Sequence, residues 1–243
     1  MSLSPSTVFH FTSKQNLNGI LRDNFKIKYC LEKLNHRTHP VELAIPMVSF
    51  CDIKISEITD HINKYGSYGI GLSKTWAVSK DLNPVIYLNS SSEFSNDLIT
   101  NLRFLYEQKN LTRSQKLSYL NLLRYSKVYE GPLTRNGKTT DKYRFADERE
   151  WRYVPPISNN YLAWRSVAQY NTPSLKRTAN ASLSSERLYF NANDILYIIV
   201  KKEEEINEII QHIRQVKGKN YTMDEIDRLT TRILSCERII NDF

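Results

Sequence analysis

A chain of 243 residues, 40% hydrophobic and 25% charged, has the makeup of an ordinary soluble globular protein and is long enough for one sizeable core. Its net charge of +8 favours an anionic partner such as RNA, DNA, an acidic protein or a phosphate-bearing cofactor, with plain solubility as the alternative. Only seven glycines occur, and neither G-x-G-x-x-G nor a Walker lysine loop is present, so a Gly-rich phosphate loop is all but excluded.

The three cysteines, Cys30, Cys51 and Cys236, are odd in number and far apart, which points to free thiols in a reducing compartment. His36 and His39 lie near Cys30, but no C-x-x-C or His-x-x-x-His pair offers ligand spacing, and no metal site is expected. The opening Met1–Ser6 has no basic region followed by an apolar core, so no signal peptide is expected. No apolar run approaches ~18 residues, so no membrane span is expected, and a cytoplasmic location is the default.

In chain order, Thr7–Thr12 alternates β-prone and polar residues and reads as a first strand. Thr12 or Ser13 can cap a helix that carries Leu17, Ile20 and Leu21 on one stripe. His10 then sits at a strand end with a helix opening beyond it, where ligands are often received, although a packed or solvated histidine is the plainer reading. Residues 23–44 read as a loop with a helical turn around Tyr29–Lys33, and Ile45–Cys51 as a second strand. Ser56 can cap a helix with Ile58 and Ile62 on one face.

The stretch Tyr65–Ala77 holds three glycines within six residues, with Tyr65 and Tyr68 on either side of the first. It reads either as a turn entering a strand or as a ring platform over a flat ligand. Pro84–Leu88 is a further strand. Residues 93–127 repeat apolar side chains at three- and four-residue steps and read as a helical insertion. Its second part carries Arg113, Lys116, Arg124 and Lys127 with Tyr119 and Tyr125 interleaved, a face that is either solvated or meets nucleic acid. Residues 131–143 read as a polar loop.

Arg144–Val154 then reads as a strand closed by Pro155 and Pro156. On a strand Glu148 and Glu150 share a face, with Arg149 opposite. Two like charges there call for a raised pKa or for compensation by an arginine such as Arg144 or Arg152. The stretch is either a solvated edge-strand face or a catalytic glutamate at the floor of a cleft.

Residues 157–187 form a long Asn-, Ser- and Thr-rich segment without clean periodicity, read as a substrate-facing loop. Ile195–Val200 is a buried strand, Glu203–Val216 an amphipathic helix, and Thr222–Glu225 a capping box before a last helix that runs to about Leu234. No linker splits the chain, so one α+β domain over residues 1–243 is expected.

Three pieces, His10-Phe11-Thr12 with Asn16-Leu17, Val48–Ile53 with His61 and Tyr65–Ala77, and Glu148–Arg152, together resemble the AbiGi family of abortive phage-resistance proteins. Members of that family are described as antitoxin-like partners. More distantly the same pieces are similar to the ADP-ribosyltransferase superfamily, including its DNA-modifying DarT group. That resemblance implies a split β-sheet core with peripheral helices and NAD⁺ as cofactor. It implies Glu150 as the catalytic glutamate, and His10, Thr12 and Asn16 at the NAD⁺ site. The middle motif carries over poorly, to Ser49 with Phe50 or to Tyr65 with Tyr68.

On that reading Glu150 stabilises the positive charge that builds on ribose as the nicotinamide bond breaks. Tyr68 or Phe50 stacks on the nicotinamide, Arg152 or Arg22 meets the diphosphate, and Glu148 deprotonates the acceptor. The leading expectation is therefore a phage-defence toxin transferring ADP-ribose to RNA or DNA, with a cognate toxin or antitoxin protein as partner. The alternative is a non-catalytic antitoxin-like binding module that neutralises a partner toxin. A cysteine hydrolase using Cys51 and His61 is a remote third.

Overall fold

The computed structural model describes residues 4–37, 40–135 and 137–242. His39 and the opening residues 1–3 lie outside them. The chain is a mixed α+β protein that divides into two compact units. One gathers residues 1–26, 49–82 and 187–243; the other gathers 27–48 and 83–186. The sequence alone suggests one domain because each unit is assembled from separated segments, so no linker-like stretch marks a boundary.

In the first unit, Thr7–Thr12 forms the expected strand, and Ser13 caps the helix Lys14–Asp23 by accepting from the Asn16 N–H. Leu17, Ile20 and Leu21 are buried on that helix, as their spacing requires. The strand pairs antiparallel with Tyr68–Ser73, which pairs antiparallel with Ile195–Val200, which in turn pairs parallel with Ile233–Ser235. On its other side Phe9 sits opposite Cys51. Phe9, Phe11, Cys51, Ile53, Ile58, Ile62 and Ile199 share one core with Cys236 and Ile239.

The glycines of Tyr68–Ser73 serve this core. A Cβ at Gly71 would lie 2.7 Å from the Phe9 ring, so its absence lets the ring lie flat across the neighbouring strand. Gly66 is at φ 122 and lies so close to Thr12 that a Cβ would overlap the Thr12 carbonyl. Ser73 caps the helix Lys74–Ser79. Ser56 does not cap its helix: it lies in a 3₁₀ turn, and Thr59–Tyr65 starts after Ile58 with no side-chain cap. The capping box at Thr222 and Glu225 forms, but its helix ends at Thr230, and Ile233–Ser235 is a strand before a last helix, Cys236–Asp242.

In the second unit, residues 28–34 form a strand where a loop with a helical turn is expected. Lys28–Leu34 pairs antiparallel along its whole length with Val41–Met47. Arg165 and Ser166 pair with Ala44 and Leu43. The helical insertion is two helices, Glu93–Glu107 and Arg113–Arg124. Ile99 and Leu102 are buried there and Leu98 packs against the same core as Ile99, while Phe94 faces outward. The polar stretch after residue 130 pairs as a hairpin, Glu130–Arg135 with Lys138–Arg144, rather than running as a loop. The long segment beyond residue 157 contains a helix, Pro173–Ala181, with Pro at its first turn. Among the described residues no helix is long and apolar enough to cross a membrane, and no group of three or more His, Cys, Asp or Glu side chains could hold a metal ion.

Candidate functional site

Phe145–Glu148 is a 3₁₀ turn and Arg149 is left-handed, at φ 46, before the strand Glu150–Tyr153 begins. Glu148 and Glu150 therefore do not share a strand face. They are brought together by the turn, and both reach one lysine. Lys127 Nζ lies 2.7 Å from Glu150 Oε2 and 3.1 Å from Glu148 Oε2. Glu150 Oε1 accepts from Arg152 Nε at 2.8 Å, the pairing two residues apart that a strand face permits. Arg152 Nη2 donates to Glu32 at 2.8 Å, and its Nη1 to the Arg124 carbonyl at 2.8 Å. The Glu150 N–H donates to the Tyr87 hydroxyl at 2.8 Å.

Three carboxylates thus meet two cations, in a setting where Glu150 is 3% and Arg152 0% exposed. Burial by itself would raise the Glu150 pKa. The Arg152 guanidinium and the Lys127 ammonium outweigh it and hold the carboxyl well below the usual carboxylate range. Burial likewise works against charge on Lys127, and Glu150, Glu32 and Glu148 push its pKa above the ordinary lysine value. Glu32 goes the other way: burial raises its pKa, and Arg152 and Lys127 offset that only in part. Burial pushes the Tyr87 hydroxyl up to about 12. Loss of one partner from a buried pair such as Arg152–Glu150 costs about 3–5 kcal/mol.

Sequence reasoning named Arg152 as compensation for the glutamates and missed Lys127, Glu32 and Tyr87. The one available signal was a deficit: two acids and one neighbouring arginine leave a charge to be balanced. Nothing local points to Lys127, which sits on the short strand Ser126–Val128. The expected basic face breaks up in consequence. Arg124 is buried as well, its Nη2 donating to the Pro155 carbonyl at 2.9 Å and its Nη1 to Asn121 at 2.8 Å.

His10, Thr12, Asn16, Ser49, Phe50, Tyr65 and Tyr68 all belong to the other unit. His10 Nδ1 donates to the Ser49 carbonyl at 2.9 Å, which leaves Nε2 as the acceptor nitrogen of the neutral ring. The ring stands edge-on to Phe25 at 5.3 Å and tilted to Phe50 at 5.7 Å. Burial lowers its pKa, and the Ser49 bond counteracts part of the shift. Phe50 is itself a core ring, packed edge-to-face on Trp76 and Phe25.

Asn16 Nδ2 donates to Thr12 Oγ1 at 3.0 Å. The Tyr68 hydroxyl donates to Glu205 at 2.7 Å, and burial together with that carboxylate raises its pKa to about 12. Tyr65 packs against the core beside His61, and Arg22 pairs with the adjacent Asp23 at the surface. Cys51 is buried, its thiol 3.4 Å from the Phe9 carbonyl. Within the first unit His10 bonds Ser49, Asn16 bonds Thr12, and Tyr68, the cross-strand partner of Thr12, bonds Glu205.

A family model described as "Putative abortive phage resistance protein AbiGi, antitoxin" matches residues 23–201. The chain belongs to the AbiGi family. It is 30% identical over 239 residues to the "Abortive phage resistance protein AbiGi" of Lactococcus lactis subsp. cremoris, covering 87% of this chain and 94% of that protein. No solved structure matches it. The stretch matched by the AbiGi model contains the whole cluster of Glu32, Lys127, Glu148, Glu150 and Arg152, whereas His10, Thr12 and Asn16 precede it.

Proposed function

We propose that this AbiGi family member acts in abortive infection as an antitoxin-like binding protein that neutralises a partner toxin protein. The observation that carries this reading is the state of Glu150. Its two carboxylate oxygens are engaged by Arg152 and Lys127, and its backbone N–H by Tyr87. A carboxylate fixed in this way organises the fold around it. To stabilise charge developing on a ribose, it would first have to release a cation in a buried setting. The word antitoxin in the family description supports the same reading.

One observation favours a second reading. Glu148 and Glu150 converge on a single lysine, and displacement of Lys127 would present two acids side by side. On that reading the chain has an ADP-ribosyltransferase-like core, uses NAD⁺, and modifies RNA or DNA.

One experiment separates the two. The full chain is expressed alone in bacteria, and the purified protein is incubated with labelled NAD⁺ and cellular RNA, DNA and protein. The antitoxin reading expects unimpaired growth, no label transfer, and rescue of growth when the chain is co-expressed with the toxin encoded beside it. Growth arrest with label transfer to nucleic acid would replace it with the transferase reading.

A further inference from the structure

Two cations of the expected basic face, Arg113 and Lys116, and the long loop singled out in the sequence come together at a place the glutamate cluster does not use. A cavity of about 500 Å³ lies between the helix Arg113–Arg124, the end of the preceding helix and residues 157–169. That volume falls within the range of roughly 300–1,000 Å³ occupied by small-molecule sites. Its lining includes the rings of Tyr106 and Trp164, the apolar side chains of Leu117 and Leu162, and two cations, Arg113 and Lys116. No carboxylate is among the lining residues. Neither cation makes an ion pair among the described residues. Lys116 Nζ sits 5.7 Å from the centre of the Tyr106 ring, and Arg113 reaches only the Asn159 side chain, at 3.4 Å.

The loop wall is held in place beforehand. The Tyr29 hydroxyl donates to the Leu162 carbonyl at 2.6 Å, and the Tyr161 hydroxyl donates to the Pro156 carbonyl. Arg165 and Ser166 pair with the strand that contains Ala44, and the Arg165 guanidinium lies over the Tyr29 ring at 5.1 Å. Trp164 is therefore fixed between two anchored segments, so a ligand would meet a formed wall and not have to order one.

We propose that this cavity is a binding site for a small organic anion with a flat ring body, of the size and kind of a nucleoside monophosphate. The base stacks on Trp164 or Tyr106, and the phosphate is taken by the fork of Arg113 with Lys116 beside it. A flat ring accounts for the aromatic and apolar lining, and an anion accounts for two cations left without acids. This site stands independently of the antitoxin and transferase readings, because it uses none of their residues.

The test is titration of the full-length protein with the four ribonucleoside monophosphates, read by tryptophan fluorescence and calorimetry. Inorganic phosphate and the free nucleosides serve as controls. Saturable binding of at least one monophosphate is expected, tighter than either phosphate or the matching nucleoside alone. Arg113→Gln with Lys116→Gln should weaken it by about tenfold or more, while Lys116→Arg keeps it. Trp164→Phe should abolish the fluorescence change yet leave calorimetric binding. Melting temperatures equal to wild type would assign these losses to the site, and the wild-type fluorescence change stands without any variant. No saturable binding of any of the four, binding unchanged in the double variant, or inorganic phosphate binding as tightly as the nucleotides would each overturn the proposal.

Discussion

Two regions of the second unit hold basic side chains in opposite ways. Around Glu150, Arg152 is buried and Lys127 half-buried, and both meet acids at 2.7–3.1 Å. At the 500 Å³ cavity, Arg113 and Lys116 meet no acid among the described residues. A buried cation without a partner is strongly disfavoured, whereas a cation at the rim of an open cavity remains hydrated at little cost. The difference separates these two pairs by task. Lys127 and Arg152, balanced by acids, hold the unit together, and Arg113 and Lys116 are available to a ligand, whereas Arg124 is buried on the Pro155 carbonyl and Asn121 and belongs to neither pair.

The strongest way to break this contrast is to remove Arg152. Arg152→Met leaves Glu150 and Glu32 without their shared guanidinium and should cost about 3–5 kcal/mol in urea unfolding. A loss below about 1 kcal/mol would show that the cluster is not structural.

Acid comes next. Because the folded-state pKa of Glu150 lies below its unfolded value of 4.5, its contribution is present above that value and is lost as pH falls below it. Wild-type stability should therefore drop on acidification below about pH 4.5, and Glu150→Gln should start lower at neutral pH but fall less steeply. Parallel curves would contradict the assignment. Glu32 has the opposite sign. Its folded pKa is raised, so its ionisation opposes folding as pH rises above the ordinary carboxylate value. Glu32→Gln should cost the least of the cluster variants, about 1 kcal/mol or less at neutral pH, measured by the same denaturation. At the cavity, Arg113→Gln with Lys116→Gln should change stability by no more than about 0.5 kcal/mol in thermal melts. A large loss there would mean that those cations too are structural.

What the sequence disclosed and what it withheld divide along the same physical line. The helix after Ser13 is legible because its cap and its apolar stripe of Leu17, Ile20 and Leu21 are local. The capping box at Thr222 and Glu225 is legible for the same reason. Lys28–Leu34 is not, since what makes it a strand is pairing with Val41–Met47, and its own residues give no clean alternation. The turn that separates Glu148 from Glu150 rests on a left-handed arginine, Arg149, with no Gly or Asn to announce it. Lys127 and Arg124 read as members of a basic face because their acceptors, Glu150 and the Pro155 carbonyl, lie more than twenty residues away. That the residues of the expected site fall in two units was not legible, because each unit is assembled from separated segments.

That division has a consequence for how the protein is made. One unit has all its segments once residue 186 has left the ribosome, but the other needs residues 187–243. Until Ile195–Val200 arrives, the edge of Tyr68–Ser73 that it will occupy exposes bare N–H and C=O groups on the nascent chain. A chain stopped between residues 186 and 195 would thus hold one unit with all its segments and the other with an open, adhesive strand edge.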